Sequence, residues 1–269
     1  MMDWLSAEPL LRIAFPGLLF ILMGFWECFH PARKLTFSRR YRWSHNLLLV
    51  TLNTLLVRLL MPVLPVTAAL YAAQEQSGVF HVLGLSYIVS LIAGLVLLDL
   101  TLYLQHRIFH RVPVLWRLHR MHHADQDVDV STGLRFHPLE IVLSVLIKVL
   151  VVWLLGVPAE AVIAFEVLLS TMAVFNHANV TLPQPFERWL RWLVVTPDMH
   201  RIHHSADLRE THTNFGFNLS CWDRWLGSYC NDAHSPLRIG VNGLTESGEQ
   251  RIDRLLTQPF RNVSQSSDQ

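Results

Sequence analysis

Eight histidines fall into three tight clusters. His106 and His110 form HxxxH, His119, His122 and His123 form HxxHH, and His200, His203 and His204 form a second HxxHH. On a helix, positions i, i+3 and i+4 share a face, so each cluster can point two or three imidazoles at one place. Neutral imidazole is a good ligand for iron, zinc, copper or nickel. Eight donors exceed what one four-coordinate ion uses, and two ions sharing a site is the economical reading. With 15 histidines in 269 residues, chance supplies roughly 0.05 HxxHH triplets per chain, and two together about once in a thousand such chains. Coincidental structural histidines are therefore the weaker explanation.

The elements that must carry these residues are apolar. The chain is 51% hydrophobic and 16% charged, with positive mean hydropathy, whereas soluble proteins carry about a quarter charged residues. This balance excludes a disordered chain, a disulfide scaffold and a basic nucleic-acid binder, so no nucleic-acid partner is expected. Cys28, Cys221 and Cys230 show neither a disulfide framework nor zinc spacing. The N-terminus lacks the basic region and cleavage site of a signal peptide, so the first apolar run is expected to persist in the mature protein.

A spanning helix needs roughly 20 mostly apolar residues. Residues 10–29, 46–73 (kinked by Pro62 and Pro65) and 82–104 qualify. Two shorter runs, 138–155 and 159–176, are joined by Gly156-Val157-Pro158 and read as a tight helical hairpin. Arg33, Lys34, Arg39, Arg40 and Arg42 follow the first span without an acidic residue between 31 and 44. The loop 74–81 has Glu75 and no Lys or Arg. By the positive-inside rule the first loop, and with it the histidines, faces the cytoplasm. The fold class is thus all-α and integral to the membrane: four to five transmembrane or hairpin helices under a cytoplasmic histidine-rich cap.

Asp99, Tyr103, His106 and His110 are spaced 4, 3 and 4 along one helical stripe. An aspartate in hydrocarbon is costly without a role, and Asp99 is expected to receive an imidazole N–H or the Tyr103 proton. The alternative is a snorkelling carboxylate near the span end. Lys148 and Glu166 lie at similar depths on the two hairpin arms and are expected to pair. Residues 112–121 and 186–194 mix tryptophan with arginine, which suits helices at headgroup level or amphipathic packing on the protein itself. From Gly240 onward the chain turns polar, and residues 262–269 read as a solvated tail.

In order along the chain come D-x3-Y-x2-H-R-x2-H (Asp99 to His110), W-x2-H-x2-HH (Trp116 to His123), R-x-HP-x-E (Arg135 to Glu140), NHAN (Asn176 to Asn179), TPDMHRIHHS (Thr196 to Ser205) and NFGFN…WDRWLGSY (Asn214 to Tyr229). This ordered set resembles the fatty acid hydroxylase superfamily, also called the sterol desaturase family. The resemblance covers residues 95–229. With the spans and the polar C-terminus, the chain reads as one membrane domain, 1–239, with its motif-bearing core at 95–229, followed by a polar C-terminal tail, 240–269.

The resemblance further implies a membrane-bound non-haem di-iron oxygenase that hydroxylates or desaturates an unactivated C–H of a sterol, fatty acyl, carotenoid or alkyl lipid. The cofactors would be two iron ions, with O2 as co-substrate and zinc able to replace iron in isolated protein. The lipid would come from the bilayer, and electrons from a separate ferredoxin or cytochrome b5-like protein with its reductase, since no HPGG-type segment is present. The membrane would be the bacterial inner membrane or the endoplasmic reticulum. The eight clustered histidines carry over as ligands, joined by His177 of NHAN. His137 of FHPLE is a further candidate, with an N-cap neighbour of the helix starting at Pro138 as its alternative. Asp99, Tyr103, Asn179, Asn214, Trp222 and Asp223 are expected to support the ligands, and no catalytic residue is expected beyond the metal centre. Residues 214–229 are expected to form a lid or cap. Ala173 stands where fatty acid 2-hydroxylase-like members have histidine, and His212 where close relatives often have aspartate. The competing classes are a zinc-dependent membrane hydrolase, which HExxH would mark, and a metal transporter or sensor, which would hold metal near the midplane.

Overall fold

The computed structural model describes residues 4–263 except Ser235, with side chains from residue 8 onward. Eight helices lead up to the cap: α1 (Trp4–Phe29), α2 (Arg39–Leu60), α3 (Pro65–Gln74), α4 (Val79–Val82), α5 (Tyr87–Arg111), α6 (Pro113–His123), α7 (Pro138–Leu155) and α8 (Ala159–His177). Five short helices follow: α9 (Gln184–Leu190), α10 (Pro197–His203), α11 (Leu208–Thr211), α12 (Cys221–Trp225) and α13 (Ile252–Thr257). The described residues contain no strand, only isolated bridges between Val194 and Leu219 and between Ser205 and Ile239.

Five segments are long and apolar enough to cross a membrane: Glu8–Phe29, Arg39–Val82, Tyr87–Arg111, Pro138–Leu155 and Ala159–His177. Their outer faces expose Ile13, Ile21, Leu59, Ile88 and Ile92. Lipid solvates such a surface, and helices satisfy their own backbone groups inside it. The chain is an all-helical integral membrane protein. Its second apolar stretch is broken instead of merely kinked. Met61 and Leu64, each preceding a proline, are extended (φ −107°, ψ 96° and φ −98°, ψ 162°), as proline sterics require. After the break α3 packs on α7 and α8.

The hairpin of α7 and α8 turns at Gly156, whose φ of +70° is left-handed and therefore suits glycine. A Cβ there would lie 2.5 Å from the His81 ring, which packs into the turn. Phe80, Leu98, Val152, Val157, Val162 and Phe165 fill the core near this turn. The basic loop after α1 lies at the opposite end. Asn179 accepts from the Arg33 N–H (3.0 Å) and donates to the Arg33 carbonyl (2.8 Å). Asp127 accepts from the N–H groups of Thr36 and Phe37 at 2.7 and 2.6 Å. The histidines share this end.

Lys148 and Glu166 pair at 2.7 Å, and the structure adds a third arm. Arg12 of α1 reaches the other Glu166 oxygen and donates to Glu8 at 2.7 Å. The resulting chain of charges ties α1, α7 and α8 together within the apolar bundle.

The segment 240–263 packs against the domain, contrary to the tail expected from its polarity. Leu255 is buried with Leu49 and Met121. Arg117 donates to the Pro259 carbonyl (2.6 Å) and Arg120 to that of Gln258 (2.5 Å). Buried Gln250 accepts from Arg135 at 2.5 Å and donates to the Ala124 carbonyl at 3.3 Å. Side-chain bonds to main-chain carbonyls let so polar a segment be buried. Of the solvated tail expected over 262–269, residues 264–269 lie outside the described residues.

Glu166 serves two cations and Lys148 one anion, which gives an ordering. Glu166→Gln strands two partly buried cations and is expected to cost about 3 kcal/mol, whereas Lys148→Met leaves the Arg12 pair intact and should cost about 1 kcal/mol. Thermal midpoints in detergent that are equal for both variants and wild type would contradict this.

Candidate metal centre

The histidines converge in two adjacent groups. His106, His110, His119, His123 and His203 form one, and His122, His177, His200 and His204 the other; within each group the ring nitrogens lie within 4.8 Å of one another. The helix repeat explains the division. Residues i and i+4 differ by about 40° around the axis and i+3 points about 100° away from i+4. The i, i+4 pairs His106/His110, His119/His123 and His200/His204 therefore stay together. His122 and His203, the i+3 members, cross to the other group. Each HxxHH motif thus serves both groups instead of aiming all its rings at one place. The groups adjoin, with the rings of His123 and His204 stacked at 4.4 Å.

Five of the nine rings are anchored through Nδ1. His106 donates to the Phe215 carbonyl (2.8 Å), His122 to Arg135 (3.0 Å), His177 to Ala173 (2.6 Å) and His203 to Thr213 (2.7 Å), while His119 donates to the Glu140 carboxylate at 2.7 Å. A main-chain carbonyl only accepts, so Nδ1 carries the proton and Nε2 presents a bare lone pair. Those lone pairs face each other. His177 Nε2 lies 3.0 Å from that of His122, and His106 Nε2 lies 3.0 and 2.9 Å from those of His119 and His203. Lone pairs held this close repel unless a cation sits among them. Neighbouring ligands about 2.1 Å from one ion stand roughly 3 Å apart. Both nitrogens of His110 and His123, and Nδ1 of His200 and His204, are buried without a partner. The donor set fits metal ions.

Burial and neighbouring imidazoles push His122, His123, His200 and His204 well below the usual histidine value, and His203 down to about 3. The rings are therefore neutral, as ligation requires.

His137 stands outside both groups. Its Nδ1 accepts from the Leu139 N–H (3.2 Å) and its Nε2 meets the Leu256 carbonyl (3.2 Å). It is the N-cap of α7, the alternative reading from the sequence. Asp99 receives neither an imidazole N–H nor the Tyr103 proton. It accepts from Trp222 Nε1 (2.7 Å), Asn218 Nδ2 (2.8 Å) and the Leu219 N–H (3.2 Å), so it anchors the segment 214–229 and reaches His106 only through it. Tyr103 bonds Ser228 at 2.7 Å. Asp223 accepts from the N–H groups of Phe215 and Gly216 (2.7 and 2.8 Å), fixing the carbonyl that holds His106. Asn214, at φ +51°, bonds Met199 and Cys230. Asn179 holds the basic loop rather than a ligand. His212 is exposed, its ring 5.7 Å from that of His110, and belongs to neither group.

Two supports escaped the sequence reading. Glu140 sits in the R-x-HP-x-E motif, where its contact with His119 could have been suspected. Gly133 gave no signal: a Cβ there would lie 2.5 Å from the Ala173 carbonyl that holds His177.

The fatty acid hydroxylase family profile matches residues 91–228. The chain is 32% identical to ornithine lipid hydroxylase OlsE of Rhizobium tropici over 171 residues, 63% of this chain and 50% of that protein. It is 27% identical to alkylglycerol monooxygenase of Xenopus tropicalis over 150 residues, 52% of this chain and 30% of that protein. The human alkylglycerol monooxygenase is also 27% identical, over 142 residues, 49% of this chain and 28% of that protein. The chain thus spans half or less of the length of these relatives. No solved structure matches it significantly.

Two outcomes follow from the anchors. Glu140→Gln weakens the hold on His119 and should lower metal affinity about 10- to 100-fold, whereas His137→Ala should leave that affinity unchanged and cost about 1 kcal/mol as a lost cap. Metal titration beside thermal melts checks both, and a large affinity loss in His137→Ala would contradict the assignment. The metal-free chain should also be acid-sensitive. Above pH of about 6.5 the imidazoles of His122, His123, His200, His203 and His204 are neutral both folded and unfolded; below it the unfolded chain takes up protons that these buried rings refuse. Stability therefore falls as pH drops, for His203 down to about 3. A thermal midpoint unchanged between about pH 8 and pH 5 would contradict this.

Proposed function

The chain belongs to the fatty acid hydroxylase family, and on that premise we propose that it is a membrane-bound, O2-dependent hydroxylase of a polar lipid working with two iron ions. The carrying observation is the convergence of nine buried imidazoles in two adjoining groups, five of them anchored through Nδ1. His106, His110, His119, His123 and His203 hold one ion, and His122, His177, His200 and His204 the other. Bound iron supplies the activation of O2 with two electrons and two protons, so that one oxygen atom enters an unactivated C–H bond and the other leaves as water.

The chain's own residues orient and exclude. Carbonyls of Phe215, Arg135, Ala173 and Thr213 and the Glu140 carboxylate fix five rings against rotation. Burial of all nine keeps bulk water from the site. His110 and His123 lie against Trp116, with ring centroids 4.7 and 5.2 Å apart. Exposed His212 stands beside His110, and the lipid approaches along this edge.

Hydroxylation is favoured over desaturation because the relatives are named a hydroxylase and monooxygenases, acting on ornithine lipid and alkylglycerol. A polar membrane lipid is therefore the substrate class. The positively charged loop at the histidine end supports a site facing the cytoplasm, served there by a separate ferredoxin or cytochrome b5-like electron donor. A hydrolase would use a carboxylate as base, whereas the Glu140 carboxylate holds His119 through one of its oxygens.

Lipid profiles of cells with and without the gene should differ by a lipid that gains one oxygen, only in air. His123→Ala should remove that product while the protein still accumulates in membranes. Loss of two hydrogens would assign desaturation instead, and turnover without O2 would overturn the oxygenase reading.

A further inference from the structure

Residues 214–229, the expected lid, and the segment 184–194 packed against them (together called the lid below) expose a large aromatic surface. Trp225 is 72% exposed, Trp192 67% and Trp189 59%, and Phe186, Leu193 and Leu226 are exposed beside them. A contiguous apolar surface of this kind on a protein marks a membrane or a partner. The depth at which the lid is fastened decides between them.

The lid is fastened to α5, a helix long and apolar enough to cross a membrane, from Arg107 back to Asp99 at its midpoint. The Leu226 carbonyl accepts from Arg107 (3.1 Å), Ser228 bonds Tyr103 (2.7 Å), and Trp222, Asn218 and Leu219 donate to Asp99. Asp99 lies seven residues before His106, about 10 Å further toward the far end of α5. A span needs roughly 20 residues, and Asp99 is only the thirteenth residue of α5. The lid therefore runs down the side of α5, from the histidine end toward the middle of the bilayer. Residues 191–195 follow it, through the Val194–Leu219 bridge and the Ser220 hydroxyl on the Arg191 carbonyl (2.7 Å). Beside the lid, α5 exposes Leu104 and Ile108, so the aromatic face continues a surface that already meets lipid.

The charges suit this depth. Arg224 lies between the rings of Trp192 (4.5 Å) and Tyr229 (4.0 Å) and donates to Ser220. Arg191 is bonded to Glu187. Exposed Arg188 is left for headgroups.

We infer that the lid is sunk into the leaflet at the histidine end, so that its outer face, Phe186, Trp189, Trp192, Leu193, Trp225 and Leu226, is solvated by phospholipid. A lipid C–H then reaches the lid's edge without leaving the bilayer. This inference rests on the membrane placement within the functional reading and not on the reaction, so its failure would leave the metal assignment untouched, and the reverse.

The test uses the wild-type chain in nanodiscs of phosphatidylcholine and phosphatidylglycerol doped with a phosphatidylcholine bearing an acyl-chain diazirine. After photolysis, mass spectrometry maps adducts, and hydroxyl-radical footprinting of the same discs maps water. The expected result is lipid adducts on residues 186–193 and 225–226 as well as on the exposed faces of the spans. Oxidation of Trp189, Trp192 and Trp225 should be several-fold slower than in the denatured chain. Rapid oxidation of these tryptophans with adducts confined to the spans would place the face in water and overturn the inference. Protection from radicals without lipid adducts would mean that a protein covers the face, a second copy being the first suspect, and would overturn it equally.

Discussion

Nine buried imidazoles pointing into one small volume are the constraint on which the rest of the structure depends. Hydrogen bonds to carbonyls put protons on Nδ1 and leave Nε2 lone pairs opposed at about 3 Å, between His122 and His177 and between His106 and His203. That arrangement suits bound cations, and the surrounding chain must be stiff enough to hold it in register. Much of the cap serves that end. The lid supplies the carbonyl for His106, the loop before α7 supplies the one for His122, and α8 supplies its own for His177.

Stiffness comes from buried charge as much as from apolar packing. Arg42 of α2 is fully buried between Asp125 and Asp129, at 2.6 Å from each. It pins the loop that follows α6 and its three histidines. Burial alone would raise the Asp125 carboxyl, but Arg42 and Arg135 hold it well below the usual carboxylate range. Arg135 in turn donates to the Met121 carbonyl (3.0 Å) and is itself braced by Gln250 of the C-terminal segment. A helix bearing HxxHH, which by composition alone would be mobile and easily protonated, is thereby locked on three sides.

The spans, the hairpin turn and the histidines were legible because each depends on residue type and short spacing. Gly156 marks its turn and the i, i+4 pairs mark their groups. What stayed hidden depends on contacts distant in sequence. Asp99 shares a helical stripe with His106, yet its partners come from residues 218–222. Arg42 counts as a loop charge in the orientation argument, although it faces inward and only part of that basic run meets solvent. His137 and His177 both sit in motifs, but Pro138 turns the first into a cap while the end of α8 delivers the second to the site. The segment 240–263 looks like a tail because glutamine and arginine are counted as polar, whatever carbonyls receive them.

The metal content of the chain, purified without chelator from iron-replete cells and quantified alongside X-ray absorption at the iron edge, decides whether the histidines hold iron. Two iron ions per chain in nitrogen-rich coordination are expected, both lost together with native stability on acidification. A chain that is stable and active with fewer than one metal ion, or whose metal is bound chiefly by oxygen or sulfur, would contradict this.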